Sequence, residues 1–265
     1  MPAGLAMRKG YKELYEDWTG ADAISTAVAD GVVWLTAVTN GDTAFRIVAD
    51  AQGPILQGLT DGTDNDYVTI AYHLLAWSVQ HGELYMETRA KISVGAVASV
   101  AINIGFNDDV VEDSATLPVE LSTVTFTANA AEFIGVVFDP DATNDDWHVT
   151  WVDDTVLNGG QAIANLRMTG VAPVLDEWFG VSMKLSANPP ATVAQGAAGT
   201  AGGSVVADIT VVEESTGLRA SKRFTTTIDR EALLTPWIGF ENRAGVAHTM
   251  EVDYVYVRQS RSGQD

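Results

Sequence analysis

The chain has no cysteine among its 265 residues, which excludes disulfide frameworks, thiolate zinc sites and cysteine nucleophiles together. Stability has to come from packing and strand pairing. Positive charge is also scarce: 15 Lys and Arg stand against 35 Asp and Glu, for a formal net charge of −20 and a pI near 4.3. A field of that sign repels phosphate backbones, so nucleic acid is not an expected partner. It also serves colloidal solubility. Long apolar runs are missing. The longest uncharged stretch, Ser186 to Ala207, is rich in Gly, Ala and Pro and does not make a membrane helix, so no membrane partner is expected. Arg8 and Lys9 are followed by no apolar h-region, so the N-terminus does not read as a secretory signal, and the expected site of synthesis is a cytoplasm. Gly-x-Ser-x-Gly, Walker and dinucleotide fingerprints are absent, and His73, His81, His148 and His248 form no His-x-His or His-x-x-x-His pair.

What the chain does contain is alternation. In Glu83 to Ile92, Leu84, Met86, Thr88, Ala90 and Ile92 share one face of an extended strand, and Tyr85, Glu87, Arg89 and Lys91 share the other. One buried face and one wet face is the signature of an antiparallel sheet packed on one side. Further strands are expected over 31–38, 44–49, 68–75, 97–106, 121–127, 132–138, 148–153, 178–185, 205–212, 222–228, 237–242 and 250–258. Turn signals such as Asn40-Gly41, Asp61-Gly62 and Asn158-Gly159-Gly160 separate some of them. Many short strands without long amphipathic helices predict an all-β fold, an antiparallel β-sandwich or jelly roll. The expected organisation is an N-terminal arm over 1–20 and one sandwich domain over 21–265, with a flexible loop at 187–204. In the arm, Arg8, Lys9 and Lys12 cluster. The spacing of Tyr11, Leu14, Tyr15 and Trp18 predicts a short helix. Arg8, Lys9, Tyr11, Lys12, Tyr15 and Trp18 are therefore candidate partner-binding residues, with a frayed terminus as the plain alternative.

Three acidic loops offer oxygen ligands. In the third, Asp139, Asp141, Asn144, Asp145 and Asp146 form a candidate calcium site, although none of the loops has the EF-hand pattern and Asx turns use the same residues. No other cofactor is expected. Glu251-Val-Asp-Tyr-Val-Tyr256 is similar to the Glu-x-Asp-x-x-Glu strand of laminarinase-like glycoside hydrolases. Tyr256 stands where the second carboxyl is needed, so a structural strand is the better reading. Of the seven tryptophans, most lie in apolar strand patterns and are assigned to core. Trp147 and Trp151, on one strand face after the acidic loop, are the candidate glycan or partner contacts.

Taken in order, Gly82 to Ile92, Ile102 to Asp108, Glu132 to Asp141 with Asp146-Trp147, and Glu251 to Arg258 resemble a virion structural protein type of tailed bacteriophages. That resemblance implies a concanavalin-like sandwich with no enzymatic activity. It further implies a capsid decoration or cement protein on the outer head surface, a virion location, the major capsid protein as partner, and neighbouring copies in a dimer or trimer. The competing expectation is a carbohydrate-binding module or tail-fibre head that holds a host glycan.

Overall fold

The computed structural model describes residues 6–8, 11–19, 23–27, 32–39, 41–50, 53–111, 117–154, 156–188 and 204–260. The first ten strands are β1 (Ala6–Arg8), β2 (Tyr11–Glu16), β3 (Ala23–Ser25), β4 (Val32–Val38), β5 (Thr43–Asp50), β6 (Gly53–Leu59), β7 (Tyr67–Tyr72), β8 (Leu84–Val94), β9 (Val100–Asn107) and β10 (Val119–Ser122). The remainder are β11 (Thr125–Ala128), β12 (Glu132–Phe138), β13 (Trp147–Asp153), β14 (Val156–Leu157), β15 (Arg167–Met168), β16 (Phe179–Asn188), β17 (Ser204–Glu213), β18 (Arg219–Asp229), β19 (Thr235–Asn242) and β20 (Thr249–Ser260). Sheet A runs β1-β2-β20-β8-β16-β17-β18, with β6 also on β20 and β5 on β6. Sheet B runs β14-β13-β12-β9-β19-β7-β4-β3, with β15 on β13. Apart from the parallel β3–β4 pair, the ladders are antiparallel. This is the expected β-sandwich.

The two inner faces build the core as period-two patterning requires. Leu84, Met86, Ala90 and Ile92 of β8 and Phe179, Val181, Met183 and Leu185 of β16 point inward from sheet A. Val100, Ile102, Ile104 and Phe106 of β9 and Trp147, Val149 and Trp151 of β13 meet them from sheet B. Sheet B is buried on its other face too. There, Phe133, Val137 and Val152 pack against Val119, Leu121 and Ala130 around the β10–β11 hairpin. Leu117 and Val110 cover the same face farther along, over Ala101 of β9 and Trp237 of β19, and both strands are buried along their whole length.

Three expectations change. Tyr11 to Trp18 is not helical: β2 pairs with the end of β20, Tyr11 opposite Ser260 and Glu16 opposite Val255. The spacing that suits a helix here also fits period two, with Leu14 facing in and Tyr11 and Tyr15 facing out. Trp18, at φ 58°, gives its backbone N–H to Glu16 Oε1 at 2.9 Å and packs 5.6 Å from Trp34 in the core. Residues 11–19 thus belong to the sandwich, and a boundary at 20 does not separate them from it. The strand expected over 121–127 is the β10–β11 hairpin, turned at Thr123 with φ 57°, and β6 lies outside the expected strand ranges. In the loop region 187–204, Ala187, Asn188 and Ser204 pair as strand ends, and 189–203 lie outside the described residues.

Candidate functional site

The outer face of sheet A carries an unusual share of the molecule's aromatic surface. Tyr11, Tyr15, Tyr85, Tyr254 and Tyr256, five of the seven tyrosines in the chain, meet there. Tyr15 lies 6.4 Å from Tyr254 and 6.3 Å from Tyr256, Tyr85 lies 6.0 Å from Tyr256, and Arg258 sits over Tyr11 and Tyr85. Glu87 accepts the hydroxyls of Tyr85 and Tyr254, the latter at 2.5 Å. Burial and then the Glu87 hydrogen bond push Tyr85 up to about 12 and raise Tyr254 as well, so both phenols stay protonated donors at neutral pH.

This face is interrupted where β20 changes neighbours. β6 pairs with β20 up to Val252, opposite Leu56, and β2 begins at Val255, opposite Glu16. Asp253 bulges out of the ladder with β8, which turns its side chain outward. Between the end of β2 and the β5–β6 turn lies a groove of about 170 Å³, lined by Asp17, Asp50, Pro54, Arg89, Trp178 and Asp253 among others. Trp178 is the feature that sets it apart: the other six tryptophans are at most 1% exposed, and Trp178 alone is only half-buried. Alternation puts it there, since Phe179, Val181, Met183 and Leu185 face in and the residue before Phe179 must face out.

Arg89 sits 4.4 Å and Lys91 5.0 Å from the Trp178 ring centre. Arg89 donates Nε to Glu214 at 2.9 Å and Nη1 to Asp253 Oδ2 at 2.9 Å, and Lys91 pairs with Asp176 at 2.7 Å. Exposed pairs of this kind add little stability. Their effect is to fix the guanidinium against the ring and beside the groove. The groove thus offers one aromatic surface, planar donors on Arg89 and carboxylate acceptors on Asp253, Asp50 and Asp17, a set suited to neutral polyhydroxylated ligands.

The residues singled out from sequence are mostly engaged elsewhere. Trp147 and Trp151 do share a face, as expected, but it is the inner one. Both are at most 1% exposed, Trp147 against Phe138 and Phe179, Trp151 stacked on Phe224 at 5.1 Å. They do not form a surface contact. Lys12 turns inward, its Nζ donating to Ala76 O at 2.7 Å over the Trp77 ring. Trp18 is core; Tyr11 and Tyr15 are exposed, at 42% and 53%. Arg8 lies in β1 opposite Tyr11, and Lys9 lies outside the described residues. The acidic loop does not assemble as a calcium cage. Asp139 is buried in a pair with Arg243 at 2.9 Å and Asp146 pairs with Arg167, while Asp141, Asn144 and Asp145 are exposed. Arg243 also holds Glu241, whose carboxyl burial pushes up to about 7. Asp139, Asp141 and Arg243 border a second cleft of about 280 Å³ with Asp64, Asn65 and Glu120; it is polar and has no aromatic wall. Glu251 is held by Ser93 Oγ at 2.9 Å, Gln57 at 3.3 Å and Lys91 at 3.4 Å.

No family model matches the chain, and no curated protein matches it. Solved structures do share its fold. A protein of unknown function from Shewanella oneidensis MR-1 superposes with a TM-score of 0.52 at 10% identity, over 98% of this chain and 91% of that one. The exoplasmic/lumenal domain of VIP36, in its Ca2+/Man2-bound form, gives 0.51 at 11% identity over 91% and 87%. Arcelin-5, a lectin-like defense protein from Phaseolus vulgaris, gives 0.50 at 10% identity over 96% and 100%. The fold is therefore a lectin-like β-sandwich. Among the described residues, no helix is long and apolar enough to cross a membrane.

Proposed function

We propose that this protein is a non-catalytic glycan-binding module that seats one sugar residue against Trp178. The observation that carries this reading is the exposure of that one tryptophan beside fixed Arg89 and Asp253, in a gap of the sheet. Sugar rings present apolar C–H faces ringed by hydroxyls, and an aromatic wall with planar donors and carboxylates answers both. A groove of about 170 Å³ is below the usual ~300 Å³ floor of drug-sized sites, which suits a terminal residue and not a long chain. The mannose-bound state of VIP36, a protein of the same fold, agrees with this class of ligand. The test is a glycan array followed by titration of the best ligand. Trp178→Ala should weaken binding by roughly tenfold and Trp178→Phe much less, with the bound glycan recovered uncleaved. Wild-type protein that binds no glycan, or a Trp178→Ala variant that binds equally well, overturns the proposal.

A second reading, a decoration protein on a virion head, has exposed Tyr11 and Tyr15 in its favour, aromatic anchors on the same face. Co-sedimentation with capsids of a source phage, lost in a Tyr11→Ser/Tyr15→Ser variant, is the result it requires.

A further inference from the structure

Away from the groove, the β4–β5 and β6–β7 connections between the two sheets hold three acidic side chains of a different kind. Asp42 precedes β5, and Asp61 and Asp66 bracket the turn between β6 and β7. One carboxylate oxygen from each lies within 4.8 Å of the others. Asp66 is 4% exposed, and its Oδ2, like the buried Oδ2 of Asp42, has no hydrogen-bond partner. Elsewhere two buried aspartates are matched with arginine, Asp139 with Arg243 and Asp146 with Arg167, while buried Glu213 is held by the hydroxyls of Ser215 and Thr216. No described Lys or Arg forms an ion pair with Asp42, Asp61 or Asp66. A buried carboxylate oxygen close to two further carboxylates, with no counter-charge, carries a large desolvation cost that either a proton or a cation relieves.

We propose that Asp42, Asp61 and Asp66 bind a divalent cation of the hard, oxygen-seeking kind, Ca2+ by the all-carboxylate donor set, and that the ion ties the 61–66 turn to the start of β5. Calcium accepts irregular oxygen cages and fills open positions with water, which three convergent carboxylates leave room for. The turn is already set for it. Asp61 N–H donates to Asp42 Oδ1 at 2.7 Å, and Asp61 Oδ1 accepts from the N–H and hydroxyl of Thr63 at 3.0 and 2.9 Å. Gly41, at φ +110°, lets the Asp61 carboxylate come close: a Cβ there would stand 2.8 Å from its Oδ2.

The experiment uses the full chain. Tyr67 directly follows Asp66 in the chain and is the phenol used to sensitise terbium emission. Chelator-treated protein at pH 7.5 is titrated with Tb3+ and back-titrated with Ca2+, and its melting temperature is read with and without Ca2+. The expected result is saturable terbium emission displaced by Ca2+, together with a calcium-dependent rise in Tm. Asp66→Asn and the exposed-site Asp61→Asn should each weaken both readouts by roughly tenfold or more, and Asp145→Asn in the other acidic loop should leave them unchanged. Because Asp61 is at the surface, its variant keeps the test valid should Asp66→Asn fail to fold. Absence of emission and of a Tm shift in the wild type overturns the proposal. So does a signal that survives Asp61→Asn and is lost in Asp145→Asn.

Discussion

Glu132 shows how a single side chain can be held against its own preference. It is half-buried, and burial first, then Asp108, Asp153, Asp154 and Asp229, push its carboxyl up to about 7. A carboxyl raised in the folded state favours folding while it is protonated, and that stability is lost as pH rises from its unfolded value near 4.5 through 7. Glu132→Gln should therefore raise the melting temperature at pH 8 and make no difference near pH 4, measured by calorimetry at both. Arg243 is the opposite case, the one cation shared by Asp139 and Glu241, with side-chain exposures of 8%, 1% and 2%. Arg243→Met leaves buried charge uncompensated and should cost about 3–5 kcal/mol in urea unfolding. Neither role was legible in the sequence. The acidic stretch 139–146 looked like a ligand set, because its partners Arg243 and Arg167 are 104 and 21 residues away from Asp139 and Asp146. Trp178 was legible in principle, through the alternation of Phe179 to Leu185, but strand propensity alone places a tryptophan in core.

At the scale of elements, strands whose faces differ were readable and strands whose faces agree were not. β8 alternates buried and part-buried residues from Leu84 to Ser93, as its sequence says. β13 is buried on both sides, so its pattern gives no indication of whether Trp147 and Trp151 look inward or outward; the β10–β11 cover decides that. β2 was misread because four residues fit both a period of 3.6 and one of two, and its partner strand lies some 240 residues away. Its place in sheet A changes what truncation means. Removing residues 1–18 deletes Leu14 and Trp18 from the core, so Trp18→Ala alone should cost about 3–5 kcal/mol, read by chemical denaturation. Loss of binding in such a truncation reports on folding before it reports on an interface. Gly105 and Gly135 face each other across β9 and β12, where a Cβ on either would stand 2.3 Å from the backbone oxygen of Ile134 or Ile104. Gly105→Ala should cost about 1–3 kcal/mol by strain, in the same assay.

The whole molecule is acidic, and several of its carboxyls are held above their ordinary values: Glu132 and Glu241 at about 7, with Asp108 also raised. His148, lowered to about 4 by burial, and His248, also lowered by burial, act in the other direction. The acids outnumber the histidines, so thermal stability should rise as pH falls from 8 towards 5. A melting temperature that falls over this window would count against that reading. The position of β20 has a consequence in time. It lies inside sheet A, with β8 on one side and β2 and β6 on the other, yet it is the last of the described strands to leave the ribosome. Until residues 249–260 emerge, three earlier strands wait with open edges, and sheet A closes only once translation has passed them. A nascent chain stalled after residue 248 should be cut readily by protease, and the released chain should resist.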